Sequence, residues 1–192
     1  MDNKGILRIG LPTVIFFAAV VFINKSFTPL IPFAAAFLHE LGHIAVMSLC
    51  GQKIKKITVL PFGVDIKKSH SVTSYKADIA VSSAGLAVNL AVFILCFFLP
   101  KSAWAEQLRS ANLFLMAVNI LPIKNLDGGQ VIEKLLCLRL DPDTADRIIN
   151  ICSFFCLVVV GSVAVWLLMS SGYNFTLLFM CIYLFCEIFI KK

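Results

Sequence analysis

Six apolar stretches divide this chain of 192 residues, and they constrain its fold more than any other feature. They cover Ile6–Ile23, Leu30–Cys50, Ile79–Leu99, Leu113–Ile123, Ile148–Met169 and Phe175–Ile190. Three have about the 20 residues that a helix needs to cross a bilayer, and the fourth is short and interrupted by proline. At 59% hydrophobic residues and a mean hydropathy of +0.91, the composition is not that of a soluble globular domain. The sequence therefore predicts an all-α integral membrane protein with about six transmembrane helices.

The basic residues predict which side of the membrane each loop occupies. If the amino terminus is cytoplasmic, six crossings place all of the 17 Lys and Arg residues except Lys25, Lys101 and Arg109 on the cytoplasmic side. Cytoplasmic loops carry such an excess of Lys and Arg, and the opposite orientation would invert the ratio. We therefore predict a multi-pass cell-membrane protein with both termini in the cytoplasm. The net charge of +6 is interpreted as a signal of topology rather than of nucleic-acid binding.

The polar stretches at 51–78 and 124–150 are too short to form independent domains. We predict a single membrane-embedded domain over 1–192, with a core at about 30–135 and accessory helices at 148–169 and 175–190. Lys4 and Arg8 precede the first apolar stretch, as in a signal peptide, but no small-x-small cleavage site follows, which favours a retained helix.

Residues 51–68 alternate in places between apolar and polar, which predicts a small β-hairpin or a strand at the membrane surface. An exposed strand edge there could pair with an extended substrate. A basic loop attracted to anionic lipid is the alternative interpretation.

A metal-binding pattern lies inside the second apolar stretch. The segment His39-Glu40-Leu41-Gly42-His43 places two imidazoles four residues apart on one helix face, where they can share one metal ion. The carboxylate of Glu40 can then act on a metal-bound water. Ionisable groups at bilayer depth cost about 2.5 to 3.5 kcal/mol each on insertion scales, so packing alone explains three of them poorly. The pattern predicts hydrolysis of peptide bonds within the bilayer.

A catalytic zinc ion usually has three protein ligands and one water, so a third side chain is needed. Asp127 is the main candidate, because it falls near the cytoplasmic end of the fourth apolar stretch. It can reach the depth of the histidines if that helix is broken, and Pro122 followed by Gly128 and Gly129 favours such a break. The alternative third ligands are Asp65, His70, Asp78 and Glu187.

These segments together resemble the site-2 protease family of intramembrane zinc metalloproteases. The resemblance spans roughly residues 30–135. It rests on H-E-L-G-H at 39–43, Ser83-Ala-Gly85-Leu-Ala-Val-Asn89, and N-x-x-P-x-x-x-L-D-G-G at 119–129. Leu60-Pro61-Phe62-Gly63 resembles the branch of stage IV sporulation protein FB. The family often has a proline where this chain has Leu86, and neither a CBS nor a PDZ domain is seen in this sequence, so functions of those domains are not carried over.

The resemblance implies a role for each matching residue. His39, His43 and Asp127 would bind one Zn²⁺ per chain, and Glu40 would be the catalytic base. Asn119 would bind substrate, and a hydrogen bond between helices is the alternative for it. Asn89 is interpreted as a packing contact between the third and second helices.

The implied function is that of a zinc-dependent intramembrane endopeptidase in a bacterial cell membrane. Its substrates would be membrane-embedded or membrane-associated proteins cut near the cytoplasmic face, for example to activate a transcription factor during sporulation. Membrane lipid, a second copy of the chain and regulatory membrane proteins are the other partners expected. A catalytically inactive zinc-binding regulator and a metal transporter are the alternatives, although the inverted repeats of many transporters are not visible.

Overall fold

The computed structural model describes residues 7–52, 54–60, 63–68, 74–172 and 175–190. Its elements, in chain order, are β1 (Leu7–Ile9), α1 (Leu11–Asn24), α2 (Ile31–Leu49), β2 (Ile54–Leu60), β3 (Gly63–Lys68), α3 (Tyr75–Leu95), α4 (Ala103–Asn119), α5 (Asp127–Cys137), α6 (Pro142–Ser171) and α7 (Thr176–Phe185). A 3₁₀ turn at Thr28–Leu30 precedes α2, and a π-helical turn at Cys186–Ile190 follows α7. The chain divides into two compact units, Met1–Val118 and Asn119–Lys192.

The first unit contains a three-stranded sheet in the order β1-β2-β3. β2 and β3 are antiparallel, with Val59 opposite Val64, so the hairpin predicted within 51–68 is confirmed. β1 is parallel to β2, with Leu7 opposite Ile57. The sequence interpretation that put residues 6–23 in one apolar helix was wrong at its start, because pairing with β2 holds 7–9 in a strand and α1 begins only at Leu11.

α2 and α3 pack against each other in the first unit. Gly51, with φ of +68°, ends α2, and the Gln52 N–H bonds to the Met47 carbonyl at 2.9 Å in a glycine-terminated cap. Ser74 begins α3 by accepting a hydrogen bond from the Lys76 N–H at 3.3 Å. These caps satisfy backbone groups at the end of α2 and at the start of α3. β2 and β3 lie between these two helices in the chain.

The second unit packs the loop before α5 against α6 and α7. Its buried core contains Ile123, Leu157, Cys181, Leu184 and Ile188. Asp141 begins α6, where its Oδ2 accepts a hydrogen bond from the Thr144 N–H at 2.8 Å. That bond to the backbone of Thr144 holds the pKa of the Asp141 carboxyl below its ordinary value of 3.8.

The distribution of polar and apolar side chains is the reverse of that in a soluble protein. Asn89, Asn112 and Ser153 are fully buried, whereas Phe22, Phe98 and Met169 are more than four fifths exposed. Such inversion suits helices that face lipid. Within the described residues, three helices are long and apolar enough to cross a membrane: Thr28–Leu49, Tyr75–Leu95 and Pro142–Ser171. The count of six crossings stays a prediction.

Candidate metal centre

The two histidines of the H-E-L-G-H segment lie on one face of α2, as their spacing predicts. Both side chains are buried, and their Nε2 atoms are 3.2 Å apart. The imidazole planes are nearly perpendicular, at 85°, with ring centroids 4.8 Å apart. Two nitrogens bound to one zinc at about 2.0 to 2.1 Å with tetrahedral geometry are about 3.3 Å apart, so the observed separation of the two Nε2 atoms fits zinc.

The outer nitrogens of both imidazoles are held by α3. His43 Nδ1 lies 2.7 Å from the Val81 carbonyl oxygen, and the Asn89 amide nitrogen lies 3.0 Å from His39 Nδ1. A carbonyl oxygen can only accept, so His43 Nδ1 carries a proton and, in the neutral imidazole, its Nε2 presents a lone pair. Partners at the outer nitrogen commonly fix ring orientation and tautomer in histidines that bind metals.

Gly85 lets α3 approach the two imidazoles. A Cβ at this position would lie 2.5 Å from His39 Cε1 and 2.5 Å from His43 Nε2. Gly42 on α2 has a similar role one turn away, because a Cβ there would lie 2.7 Å from Val88 Cγ2. Val81, Gly85 and Asn89 follow one another at intervals of four residues, so one stripe of α3 faces both histidines. Small residues on such a stripe allow close helix packing in membranes.

Glu40 follows His39 on α2, and its side chain is half-buried while both histidines are buried. Asn119 is the last residue of α4 and is also half-buried.

The break predicted in the fourth helical segment is confirmed, since α4 ends at Asn119 and α5 begins at Asp127. Asp127 is buried in the first turn of α5, where the helix dipole favours a carboxylate. The two glycines that follow allow the preceding loop to fold back on α5. A Cβ on Gly128 would lie 2.3 Å from the Ile120 carbonyl oxygen, and one on Gly129 would lie 2.0 Å from that of Ile123.

Hydrogen bonds to α6 anchor this loop within the second unit. The Lys124 N–H donates to Ser153 Oγ at 2.9 Å, and the Lys124 ammonium forms an ion pair with Asp146. Ile123 is fully buried in the core of this unit. The position of Asp127 at the start of α5 therefore depends on a loop fixed at both its backbone and its side chains.

Two of the alternative third ligands, Asp78 and Glu187, lie in described helical segments. The Asp78 carboxylate accepts a hydrogen bond from Gln52 Nε2 at 3.1 Å in the first turn of α3. Glu187 lies in the turn after α7. His70, Pro61 and Phe62 lie outside the described residues.

Sequence reasoning missed the contacts that Val81, Gly85 and Asn89 make with the histidines. The signal available was their spacing of four residues in an apolar helix, with one amide and one glycine on the same face. Asn89 does join the third helix to the second, as expected, but it does so through a hydrogen bond to a histidine.

Comparisons with known proteins identify the family of the chain. The model of the Peptidase M50B-like family matches residues 13–140. Stage IV sporulation protein FB of Bacillus subtilis is 30% identical over 131 residues, which cover 64% of this chain and 45% of that protein. The Synechocystis protein sll0528, named as a candidate zinc metalloprotease, is 34% identical over 118 residues, which cover 57% of this chain and 31% of that protein. The chain thus spans less than half the length of these curated relatives.

The fold also has a solved counterpart. The site-2 protease from Methanocaldococcus jannaschii superposes with a TM-score of 0.61 at 20% identity, over 98% of this chain and 91% of that chain. That likeness shows the shared fold, and the family model covers well over half of the sequence. The chain therefore belongs to the Peptidase M50B-like family and shares its fold with a site-2 protease, as the motifs in its sequence indicated.

Proposed function

We propose that this protein is a zinc-dependent intramembrane endopeptidase. The observation that carries the proposal is the pair of buried Nε2 atoms, 3.2 Å apart on an apolar helix long enough to cross a membrane. Structural or packing roles would not require two histidines to converge on one point inside such a helix. Family membership and relatives named as zinc metalloproteases support the same function.

His39, His43 and Asp127 are proposed as the ligands of one zinc ion. The chemistry of the donor set supports this assignment, and each of the three side chains is buried. Two neutral imidazoles and one carboxylate are a known set for catalytic zinc, which keeps its fourth position for water. The match to the family's third motif supports Asp127 independently of geometry.

The proposed chemistry assigns one role to each remaining polar residue. Bound zinc would polarise the scissile carbonyl and make water acidic enough to attack near neutral pH. Glu40 accepts the proton of the attacking water as the new carbon–oxygen bond forms. It then delivers that proton to the departing amide nitrogen as the carbon–nitrogen bond breaks. Asn119 donates a hydrogen bond to the substrate backbone or to the developing oxyanion.

The substrates are proposed to be membrane-embedded or membrane-associated proteins cut near the cytoplasmic face. A helical peptide hides its amides in hydrogen bonds, so a substrate must unwind before its carbonyl can be attacked. We expect helix-weakening residues such as Gly or Pro near the cut. Likeness to stage IV sporulation protein FB of a bacterium supports a role linked to sporulation, such as release of a regulator. Six crossings and cytoplasmic termini are proposed from the apolar stretches and the distribution of Lys and Arg.

The decisive experiment compares new protein termini in cells that carry wild type or Glu40→Gln. The variant should retain zinc and lose cleavage by roughly 10²- to 10⁴-fold or more, because it keeps the shape of the side chain but removes the base. Glu106→Gln is the matched control, since Glu106 is exposed on α4. Equal processing by wild type and Glu40→Gln would refute the proposed activity. It would favour a regulator that binds zinc without cutting.

A further inference from the structure

The side chain of Asn89 faces His39 between α3 and α2. It is fully buried, and its amide nitrogen lies 3.0 Å from His39 Nδ1. The amide oxygen of Asn89 is also buried and has no hydrogen-bond partner. A buried acceptor left unpaired costs about 1 to 3 kcal/mol. The fold therefore retains an asparagine whose second polar atom has no structural use in the arrangement described.

Three hydrogen bonds link Asn89, the two imidazole rings and Val81, and all three have the same direction of donation. His43 Nδ1 must donate to the Val81 carbonyl, so in a neutral His43 the Nε2 atom can only accept. The contact of 3.2 Å between the two Nε2 atoms then requires His39 Nε2 to be the donor. A neutral His39 consequently has its lone pair at Nδ1, where the Asn89 amide N–H points. The order of donation is Asn89 to His39, His39 to His43, and His43 to Val81.

A metal ion shared by both Nε2 atoms needs a lone pair on each of them. His43 already presents one. His39 does not, and it gains one only if its proton moves from Nε2 to Nδ1. The atom that faces Nδ1 must then be an acceptor. Rotation of the Asn89 amide by 180° exchanges its nitrogen and oxygen and places the unpaired oxygen against Nδ1.

We infer that Asn89 is the positioning residue for His39, and that its amide turns from donor to acceptor when His39 binds a metal ion. This inference rests on the proposed zinc site. It explains why an amide suits the position, because an amide serves both tautomers of His39. Aspartate could only accept at neutral pH, and leucine, of similar size, could do neither.

The test measures the affinity of the full-length protein for Zn²⁺ by competition with a chelator in detergent. Asn89→Leu should bind Zn²⁺ about 10- to 100-fold more weakly than wild type, the usual effect of losing a partner to a metal-bound histidine. Asn89→Asp, which keeps the acceptor, should bind at least as tightly as wild type. Wild-type affinity in Asn89→Leu, or equal losses in both variants, would overturn the inference.

Asn112→Leu is the matched control for loss of a buried amide. Asn112 is also fully buried with an unpaired amide oxygen, but its nitrogen donates to Leu108 within its own helix at 2.8 Å. Its replacement should leave zinc affinity unchanged. A loss equal to that in Asn89→Leu would show a general packing effect and would refute the role of Asn89.

A second measurement reports on the hydrogen bond itself. In protein labelled with ¹⁵N-histidine, zinc should give His39 a protonated Nδ1 with a slowly exchanging proton in wild type and in Asn89→Asp. That proton should exchange rapidly in Asn89→Ala. If Asn89→Leu does not fold, Asn89→Ala also takes its place in the affinity measurement. Slow exchange in Asn89→Ala would overturn the inference. Failure of wild type to bind stoichiometric zinc would instead refute the proposed function.

Discussion

Replacing Gly85 with alanine tests whether α3 fixes the positions of the two histidine side chains. The added Cβ would lie 2.5 Å from His39 Cε1, 2.5 Å from His43 Nε2 and 2.7 Å from His39 Nε2. Ordinary contacts between such atoms are about 3.5 Å, so the rings or the helices must separate by about 1 Å. The added Cβ would contact, on each ring, the edge that would face a metal ion. Neither ring can move away without lengthening its hydrogen bond to α3.

The expected losses in metal binding and in stability are of similar size, since a 10- to 100-fold loss of affinity corresponds to about 1.4 to 2.7 kcal/mol. Overpacking of this kind typically costs about 1 to 3 kcal/mol, while alanine regains up to about 1 kcal/mol over glycine in a helix. The free energy of unfolding should therefore fall by at most about 2 kcal/mol. Catalysis depends on placement to within fractions of an ångström, and an error of 1 Å can cost about 100-fold in rate.

The assay measures zinc affinity by chelator competition, cleavage of a model substrate, and thermal unfolding in excess chelator. Gly85→Ala should lose affinity and activity by about 10- to 100-fold, and its free energy of unfolding should fall by at most about 2 kcal/mol. Gly161→Ala on α6 is the matched control, because a Cβ there meets nothing within 4 Å. Wild-type affinity for zinc in Gly85→Ala would refute the argument that α3 sets the separation of the rings.

Three further predictions concern the second unit. Gly129→Ala should abolish stable folding or activity, since its Cβ would lie 2.0 Å from the Ile123 carbonyl oxygen and only backbone movement could relieve the clash; limited proteolysis of the 120–126 loop measures this. Ser153→Ala should destabilise the protein by about 1 to 3 kcal/mol, because the part-buried Lys124 N–H loses its acceptor; thermal unfolding measures this. The Asp141 carboxylate should stabilise the start of α6 fully above its unfolded pKa near 3.8 and less as the pH falls through its lowered folded pKa; hydrogen exchange at Thr144 measures this.

Each of these predictions has a control in the same chain. Gly161→Ala shares the helix substitution but adds no contact. Ser162→Ala removes a hydroxyl that only donates to Val158 in its own helix, at 2.8 Å, so it should change unfolding little. Asp141→Asn keeps an uncharged acceptor for the Thr144 N–H and should remove the pH dependence. Equal effects in Ser153→Ala and Ser162→Ala, or unchanged pH dependence in Asp141→Asn, would contradict the reasoning.

The sequence alone predicted the parts of the site that depend on local spacing. His39 and His43 share a face of α2 because four residues make about one turn. The break before Asp127 followed from proline and paired glycines, and the hairpin at 54–68 followed from alternation. These features are set within a single segment and need no knowledge of its neighbours.

The features that the sequence did not predict depend on contacts between distant segments. Residues 7–9 are apolar enough for a helix, but pairing with β2 makes them a strand. The partners of the imidazoles lie 38 and 50 residues further along the chain, and the register of α3 against α2 decides which side chains reach them. Close approach at Gly42 and Gly85 sets that register, and no local pattern reports it.

The parallel pairing of β1 with β2 also limits how the chain can thread through a bilayer. Arg8 and Thr58 are neighbours in one sheet, so both must lie at the same membrane surface. Between them the chain must traverse the lipid an even number of times. If α2 traverses it once, then α1 makes the return journey, although its 14 residues reach only about 21 Å. The hydrocarbon layer is about 30 Å thick, so it would have to thin beside α1, and lipids with shorter tails should favour this arrangement.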